Sequence, residues 1–268
     1  MLRATDVSFS YGPNPVLRRV SVDVGDEGFV GIIGPNGSGK TTLLRVLSGT
    51  LKPESGRMVL DDADVSAMPR TILARRMAVV AQETHLAFDY SVLEVVLMGR
   101  YPHLGPFEIE GPADIAIARH ALAATGTDHL EDRQFSTLSG GEKQRVIIAS
   151  ALAQVRGADG GSRSTFLLLD EPTAALDLAY QLEVAALLRD IQQRMPIGVV
   201  VSTHDLNFAA TLCRTMVMLR NGAVIAAGPT EEVLTRENIR ELYGVDADVH
   251  RHEDAGHLVI VPLRRTVQ

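Results

Sequence analysis

Gly34-Pro35-Asn36-Gly37-Ser38-Gly39-Lys40-Thr41 is the stretch on which the fold turns, with Thr42 directly behind it. Ahead of it, Phe29-Val30-Gly31-Ile32-Ile33 is an apolar run of strand type. Behind it, Leu43, Leu44, Val46 and Leu47 fall at helical spacing, and Gly49 suits a helix C-terminus. A strand, a glycine loop and a helix in that order make an anion cradle. The glycines let backbone N–H groups converge on phosphate oxygens, and the helix N-terminus favours negative charge. In such a cradle Lys40 would reach the β- and γ-phosphates of a nucleotide, and the Thr41 hydroxyl would ligate Mg²⁺. The bland alternative is a solvated lysine on a glycine-rich turn, and the flanking strand and helix argue against it.

Working outward, Leu2 to Tyr11 and Val16 to Val24 are β-like runs on either side of Gly12-Pro13-Asn14-Pro15, which is not expected to hold regular structure. Gly25-Asp26-Glu27-Gly28 marks a second turn. From about Val92 to Gln154 the pattern is helical, with candidates at Val92–Met98, Ala113–Thr125 and Gly141–Val155, and it reads as an inserted lobe. Gly157 to Ser164 is polar and glycine-rich, a flexible loop closing that lobe. Thr165–Leu169 is a short, wholly apolar strand of the kind buried on both faces of a parallel sheet. Leu178, Leu182, Ala185, Leu188 and Ile191 form one helical face that Pro196 ends. Met77–Ala81 and Ile197–Thr203 are further strands, and Asn221-Gly222 between Met216–Leu219 and Ala223–Ala227 is a two-residue hairpin signal. Strands alternating with helices predict an α/β sheet, with antiparallel strands near both chain ends.

The 268 residues allow one large domain or two small ones. Apolar residues at 46% and charged residues at 22% exclude wholesale disorder. A net charge of −7, from 26 basic and 33 acidic residues, argues against a general electrostatic grip on nucleic acid. Cys213 is the single cysteine, so no internal disulfide forms and a reducing compartment suits the chain. It sits in an apolar, helix-like stretch, which favours packing over reactivity. Met1–Asp6 lacks the apolar core of a signal peptide, and no apolar run approaches the roughly 20 residues needed to cross a bilayer. Work at a membrane would therefore require docking on another chain.

Phe166-Leu167-Leu168-Leu169-Asp170-Glu171 supplies the second half of a nucleotide site. An apolar strand ending in acid puts a carboxylate at the C-terminal edge of a sheet, where the phosphate loop also lies. Asp170 would hold Mg²⁺ through water, and Glu171 would orient or deprotonate an attacking water. These two motifs define a P-loop NTPase and no more. Leu138-Ser139-Gly140-Gly141-Glu142-Lys143-Gln144-Arg145 precedes a helix, so Ser139 and the glycine amides offer a second anion-binding N-terminus. Alone the string is a common turn or cap. Between the phosphate loop and the acidic strand, it resembles the signature motif of the ABC ATPase family.

The resemblance spans roughly residues 2–245 and extends to further positions. Tyr11 matches the family's adenine-stacking aromatic. Gln82 matches the glutamine that senses Mg²⁺ and the attacking water, and it starts the segment that moves with the permease. Ala174-Ala175-Leu176-Asp177 resembles the dimer-contact loop, whose first residue is often serine in the family, and Asp177 is the position that matters. His204 matches the histidine that contacts the γ-phosphate. The resemblance implies an α/β fold with a RecA-like core, an antiparallel β subdomain and an inserted helical subdomain. On this reading the core and β subdomain take about residues 2–85 and 162–235, the helical subdomain about 86–161, and a hairpin-like tail 246–268. It also implies a homodimer in which each ATP touches Lys40 of one subunit and Ser139 and Gly141 of the other. ATP and Mg²⁺ are the implied ligands, with Lys40, Mg²⁺ and His204 stabilising charge in the transition state.

A single nucleotide-binding unit implies a separate permease, at the cytoplasmic face of an inner membrane, fed indirectly by a substrate-binding protein. Leu86-Ala87-Phe88-Asp89-Tyr90-Ser91-Val92 and Met98-Gly99-Arg100-Tyr101-Pro102-His103 look like the ATPases that import iron–siderophores, haem or cobalamin. Thr203-His204-Asp205-Leu206-Asn207 and Leu242-Tyr243-Gly244-Val245 fit the same group. An ATPase of another import system stays open, with the second string then a mere surface loop. A soluble ABC ATPase of DNA repair or translation is the rival of another class, but the coiled coils, zinc modules and paired units of such proteins are missing here, and no nucleic acid is expected. His250, His252 and His257 with Glu253 and Asp254 read as a turn between strands Val249–His252 and Leu258–Val261 rather than a metal site. The cargo is not written in this chain.

Overall fold

The computed structural model describes residues 1–82, 84, 86–157, 164–174 and 176–265. Two compact units divide the chain: Met1–Ala67 with Gly198–Gln268, and Met68–Ile197.

The first 67 residues hold β1 (Leu2–Tyr11), β2 (Asn14–Val24), β3 (Phe29–Ile33), α1 (Lys40–Leu47), β4 (Ser55–Leu60) and β5 (Ala63–Asp64). Alternation drives the first two strands together: Leu2, Ala4 and Val7 of β1 and Leu17, Val20, Val22 and Val24 of β2 are buried. Four antiparallel strands form in the order β2-β1-β4-β5. Tyr11 pairs with Asn14, so the turn is only Gly12-Pro13, and Asn14 and Pro15 belong to β2. This corrects the expectation of an irregular four-residue segment. In that order β2 is an edge strand, where a proline without an N–H disturbs no ladder bond on the outer side. β3 is buried at all five positions, as its unbroken apolar run requires.

Residues 68–197 hold α2 (Arg70–Ala74), β6 (Met77–Val80), α3 (Val92–Leu97), a 3₁₀ turn over Met98–His103, α4 (Pro112–Ala124), α5 (Gly140–Val155), β7 (Thr165–Asp170) and α6 (Leu178–Arg194). β6 and β7 run parallel, Met77 opposite Phe166 through Val80 opposite Leu169. The helical lobe closes around Val92, Val95 and Val96 of α3, Ala118 and Leu122 of α4, and Val146, Ala149 and Leu152 of α5, all buried. The expected loop over Gly157–Ser164 falls largely on 158–163, outside the described residues, as does Ala175. On α6 the anticipated apolar face is buried at Ala185, Leu188 and Ile191, whereas Leu178 and Leu182 are 72% and 57% exposed. Helical period fixes which side meets a core, not how far along the helix that core extends.

The remainder holds β8 (Ile197–Thr203), α7 (Leu206–Leu212), β9 (Thr215–Arg220), β10 (Ala223–Pro229), α8 (Thr230–Val233), α9 (Arg236–Tyr243), β11 (Val245–Arg251) and β12 (Leu258–Arg265). β3 lies parallel between β8 and β9, with Val30 opposite both Val200 and Thr215. Asn221 and Gly222 both take positive φ, 50° and 77°, the requirement of a tight two-residue hairpin between β9 and β10. A Cβ on Gly31 would lie 2.9 Å from Cys213 Sγ. Burial pushes the Cys213 thiol up to about 12, so this residue packs against β3 and is not a nucleophile at neutral pH. β11 and β12 form the expected terminal hairpin, longer than its sequence signal, from Val245 opposite Arg265 to Arg251 opposite Leu258. Its turn is held by His252 Nδ1, which accepts from Ala255 N at 3.3 Å. Among the described residues no helix is long and apolar enough to cross a membrane.

Candidate nucleotide site

The phosphate loop springs from the buried end of β3 and passes directly into α1. Gly34 is obligatory: a Cβ there would sit 2.2 Å from Leu219 O and 2.6 Å from Ser38 Oγ. Gly39 takes φ +106°, a left-handed conformation that side chains resist, and so turns the chain into the helix. Ser38 N donates to Pro35 O at 3.2 Å inside the loop, and Gly222 N of the β9–β10 hairpin donates to Ser38 O at 3.0 Å from outside. Lys40, only 6% exposed, folds back so that Nζ donates to Gly34 O at 2.7 Å and Pro35 O at 3.2 Å.

Two features of this loop fit a phosphate. The first-turn amides of α1 lack intrahelical acceptors and point the same way. Ser38 Oγ is buried without a hydrogen-bond partner among the described residues, and a hydroxyl in that position calls for an acceptor. Thr41 and Thr42 occupy the first turn of α1 beside Lys40. Tyr11, at the end of β1, is 45% exposed and braced edge-on by Phe9, with ring centroids 4.9 Å apart. His204 follows the buried strand β8, and its carbonyl accepts from Tyr243 Oη at 3.1 Å.

The other expected site residues belong to the second unit. Asp170 closes β7 with 7% exposure, and Glu171 next to it is equally buried. Glu171 adopts φ +48°, a left-handed conformation costing roughly 1 kcal/mol for a non-glycine residue. Its carbonyl accepts from Ala174 N at 3.0 Å, which starts the turn toward Asp177. Asp177 caps α6, Oδ1 accepting from Tyr180 N at 3.0 Å. Ser139 caps α5 reciprocally: Oγ accepts from Glu142 N at 3.3 Å while Glu142 Oε2 accepts from Ser139 N at 2.7 Å. The bond from the Ser139 backbone first, and then one from its side chain, hold the Glu142 carboxyl below its ordinary range. Gly140 and Gly141 begin α5, and Gln82 lies in a bend just after β6. Tyr180, which the sequence did not single out, covers Gly141: a Cβ there would be 2.3 Å from its ring.

The Met98–His103 string is not a surface loop. Gly99 is buried, and a Cβ on it would lie 2.2 Å from Ser150 O of α5. Arg100 is 2% exposed and grips the C-terminal end of α5 by donating to Ala153 O at 2.6 Å and Arg156 O at 2.7 Å. Its Nε pairs with Asp114 Oδ1 of α4 at 2.9 Å. His103 Nε2 meets Gln154 O at 2.7 Å, and Gln154 Nε2 donates to Ala74 O and Met77 O at 2.8 and 3.0 Å. Sequence separations of 14 to 80 residues hid this knot from local reading.

The family model described as ABC transporter matches residues 17–174. The hemin import ATP-binding protein HmuV of Bordetella pertussis is 40% identical over 251 residues, covering 94% of this chain and 95% of the relative. HmuV of Pseudomonas aeruginosa is 39% identical over 261 residues, covering 97% and 99% respectively. Among solved structures, an inward-facing metal-chelate type ABC transporter superposes with a TM-score of 0.84 at 30% identity, covering 98% of this chain and 97% of that one. A dimeric bacterial ABC transporter cassette, MJ0796, superposes with a TM-score of 0.72 at 27% identity over 86% and 99% of the two chains.

Proposed function

The chain belongs to the ABC transporter family as an ATPase whose hydrolysis is coupled to transport, and from that premise we propose that its cargo is haem or a related iron chelate. The observation that carries the cargo reading is identity of about 40% along nearly the whole of both chains with hemin import ATP-binding proteins. A local likeness would stop at the shared ATPase motifs; this one extends through the helical lobe and the terminal hairpin. Cobalamin and ferric siderophores, expected from the Met98–His103 string, are the neighbouring cargoes.

We assign the residues as follows. The loop Gly34–Thr42 binds the phosphates through its amides, and Ser38 Oγ and Lys40 Nζ turn from their present positions toward them. Thr41, Gln82 and Asp170 each carry an oxygen of the kind Mg²⁺ takes and would be its ligands, and the ion would supply positive charge to neutralise the phosphates. Glu171 accepts a proton from water as that oxygen bonds to the γ-phosphorus, and the bond from phosphorus to the β–γ bridging oxygen breaks to leave ADP and phosphate. His204 and Lys40 counter the charge that develops on the transferred group. Tyr11 stacks on the base. Ser139, Gly140 and Gly141 complete the site of the second copy in a homodimer, with Asp177 at the contact between copies. The chain would sit at the cytoplasmic face of the membrane on a permease, which receives cargo from a binding protein.

Reconstitution with its permease in proteoliposomes tests this reading. ATP-dependent uptake of haem that disappears with Glu171→Gln is expected. Uptake of cobalamin or a ferric siderophore in place of haem would reassign the cargo, and hydrolysis without uptake of any of them would place the chain in another import system.

A further inference from the structure

The His204 carbonyl is held from outside the strand that presents it. Tyr243, the last residue of α9, is half-buried and donates from Oη to His204 O at 3.1 Å. Gly244, with φ +65°, ends that helix directly after Tyr243, its N donating to Arg240 O. Three residues beyond His204, Asn207 in the first turn of α7 makes two bonds to one residue of β12. Its Nδ2 donates to Ile260 O at 3.1 Å, and its Oδ1 accepts from Ile260 N at 2.8 Å. Between them Asp205 caps α7, its N donating to Thr203 Oγ1 at 3.0 Å and its Oδ1 accepting from Phe208 N at 3.0 Å.

The directions open to an exposed side chain such as that of His204 depend on its backbone. That backbone is fixed at three successive points: the end of β8, the bond from Tyr243 and the paired bonds to Ile260. Two of those three come from the C-terminal segment after Arg236, which carries no nucleotide-binding motif. We infer that Tyr243 and Asn207 are positioning residues that tie the C-terminal helix and hairpin to His204 and hold its imidazole toward the γ-phosphate. The inference rests on the role assigned to His204 above.

The test uses the full chain and compares Tyr243→Phe, Asn207→Ala, His204→Ala and the doubles with His204→Ala. Three quantities are read: maximal ATP hydrolysis, by single turnover where slow, ATP affinity, and thermal midpoint. Loss of one positioning bond should lower kcat about three- to tenfold with ATP affinity unchanged. In the His204→Ala background the same substitutions should lower it no further, since a residue acting through His204 has nothing left to position. Equal losses in both backgrounds, or a parental kcat in Tyr243→Phe beside a crippled His204→Ala, would overturn the inference and leave the role of His204 intact. A parental rate in His204→Ala would instead remove the histidine's role, and the clamp with it. If Asn207→Ala unfolds the hairpin, Tyr243→Phe decides, because it deletes one oxygen and leaves the ring in place.

Discussion

The ring of Tyr180 stands where a side chain on Gly141 would have to go, 2.3 Å from an ideal Cβ at that position. Tyr180 N is bound by Asp177, so the residue that closes over α5 is placed by the cap of α6. Arg145 and Glu183, one turn further along each helix, approach to 3.9 Å. The N-terminus offered by Ser139-Gly140-Gly141 and the turn carrying Asp177 are thus one packed arrangement. Gly141→Ala should displace the ring and depress ATP hydrolysis by about 100-fold, the scale of an ångström's misplacement in a catalytic group. Tyr180→Ala added to it should recover part of that rate. Hydrolysis assays on the two variants check this, and an inactive double variant would mean that the glycine serves the nucleotide directly rather than making room for the ring.

Glu171→Gln retains shape and the left-handed backbone but removes the proton acceptor. Turnover should fall at least about 100-fold, within the range attributed to general bases. ATP should still bind, so a dimer should accumulate with ATP and dissolve with ADP on size-exclusion chromatography. Steady-state hydrolysis equal to the parent's would show that Glu171 is not the base.

Lys40→Ala removes the cation that now closes the loop onto Gly34 O and Pro35 O. Charge-assisted bonds to phosphate are the strong class, so ATP affinity should drop by about tenfold or more. Arginine is a poor substitute, since its planar fork does not fit a narrow glycine cradle shaped for a single ammonium. Equilibrium titration with a fluorescent ATP analogue measures both variants, and an unaltered affinity in Lys40→Ala would refute the cradle.

What the sequence made legible was what is local. The loop, the strand before it and α1 follow from glycine positions and apolar spacing within some twenty residues, and Asn221-Gly222 named its own hairpin. Pro15 was misjudged because the edge position that tolerates it depends on β1 and β4 lying to one side only. Ser55–Leu60 gave no strand signal, since its first three residues are exposed and its pairing is dictated by Leu2 to Ser8 of β1. Leu178 and Leu182 obeyed helical period yet stayed exposed. Candidate site residues were assigned from short contiguous strings; Tyr180, Tyr243 and Arg100 were not assigned roles because each acts on a partner far along the chain.

Arg100 and Asp114 show the energetics of that long-range order. The guanidinium is 2% exposed, and Asp114 is 16% exposed at the start of α4. Burial alone would raise the Asp114 carboxyl, but the bond from Arg100 and the backbone bond from Gly111 outweigh it and hold the group below its ordinary range. A carboxyl depressed in the folded state contributes stability above its unfolded value, near pH 4, and loses that contribution as pH falls through the folded value. Asp114→Asn should therefore cost about 3 kcal/mol at pH 7, the scale for breaking a buried pair while its cation remains. Arg100 keeps its bonds to Ala153 O and Arg156 O, so the lobe should still fold. Other carboxyls are also held below their ordinary range, among them Glu142 and Asp246, so parent and variant both weaken in acid. The difference between them isolates the pair: urea unfolding from pH 7 to pH 2 should show the gap constant above pH 5 and narrowing below pH 4. A gap that holds its full size at pH 2 would mean that Asp114 contributes shape to the knot and not charge.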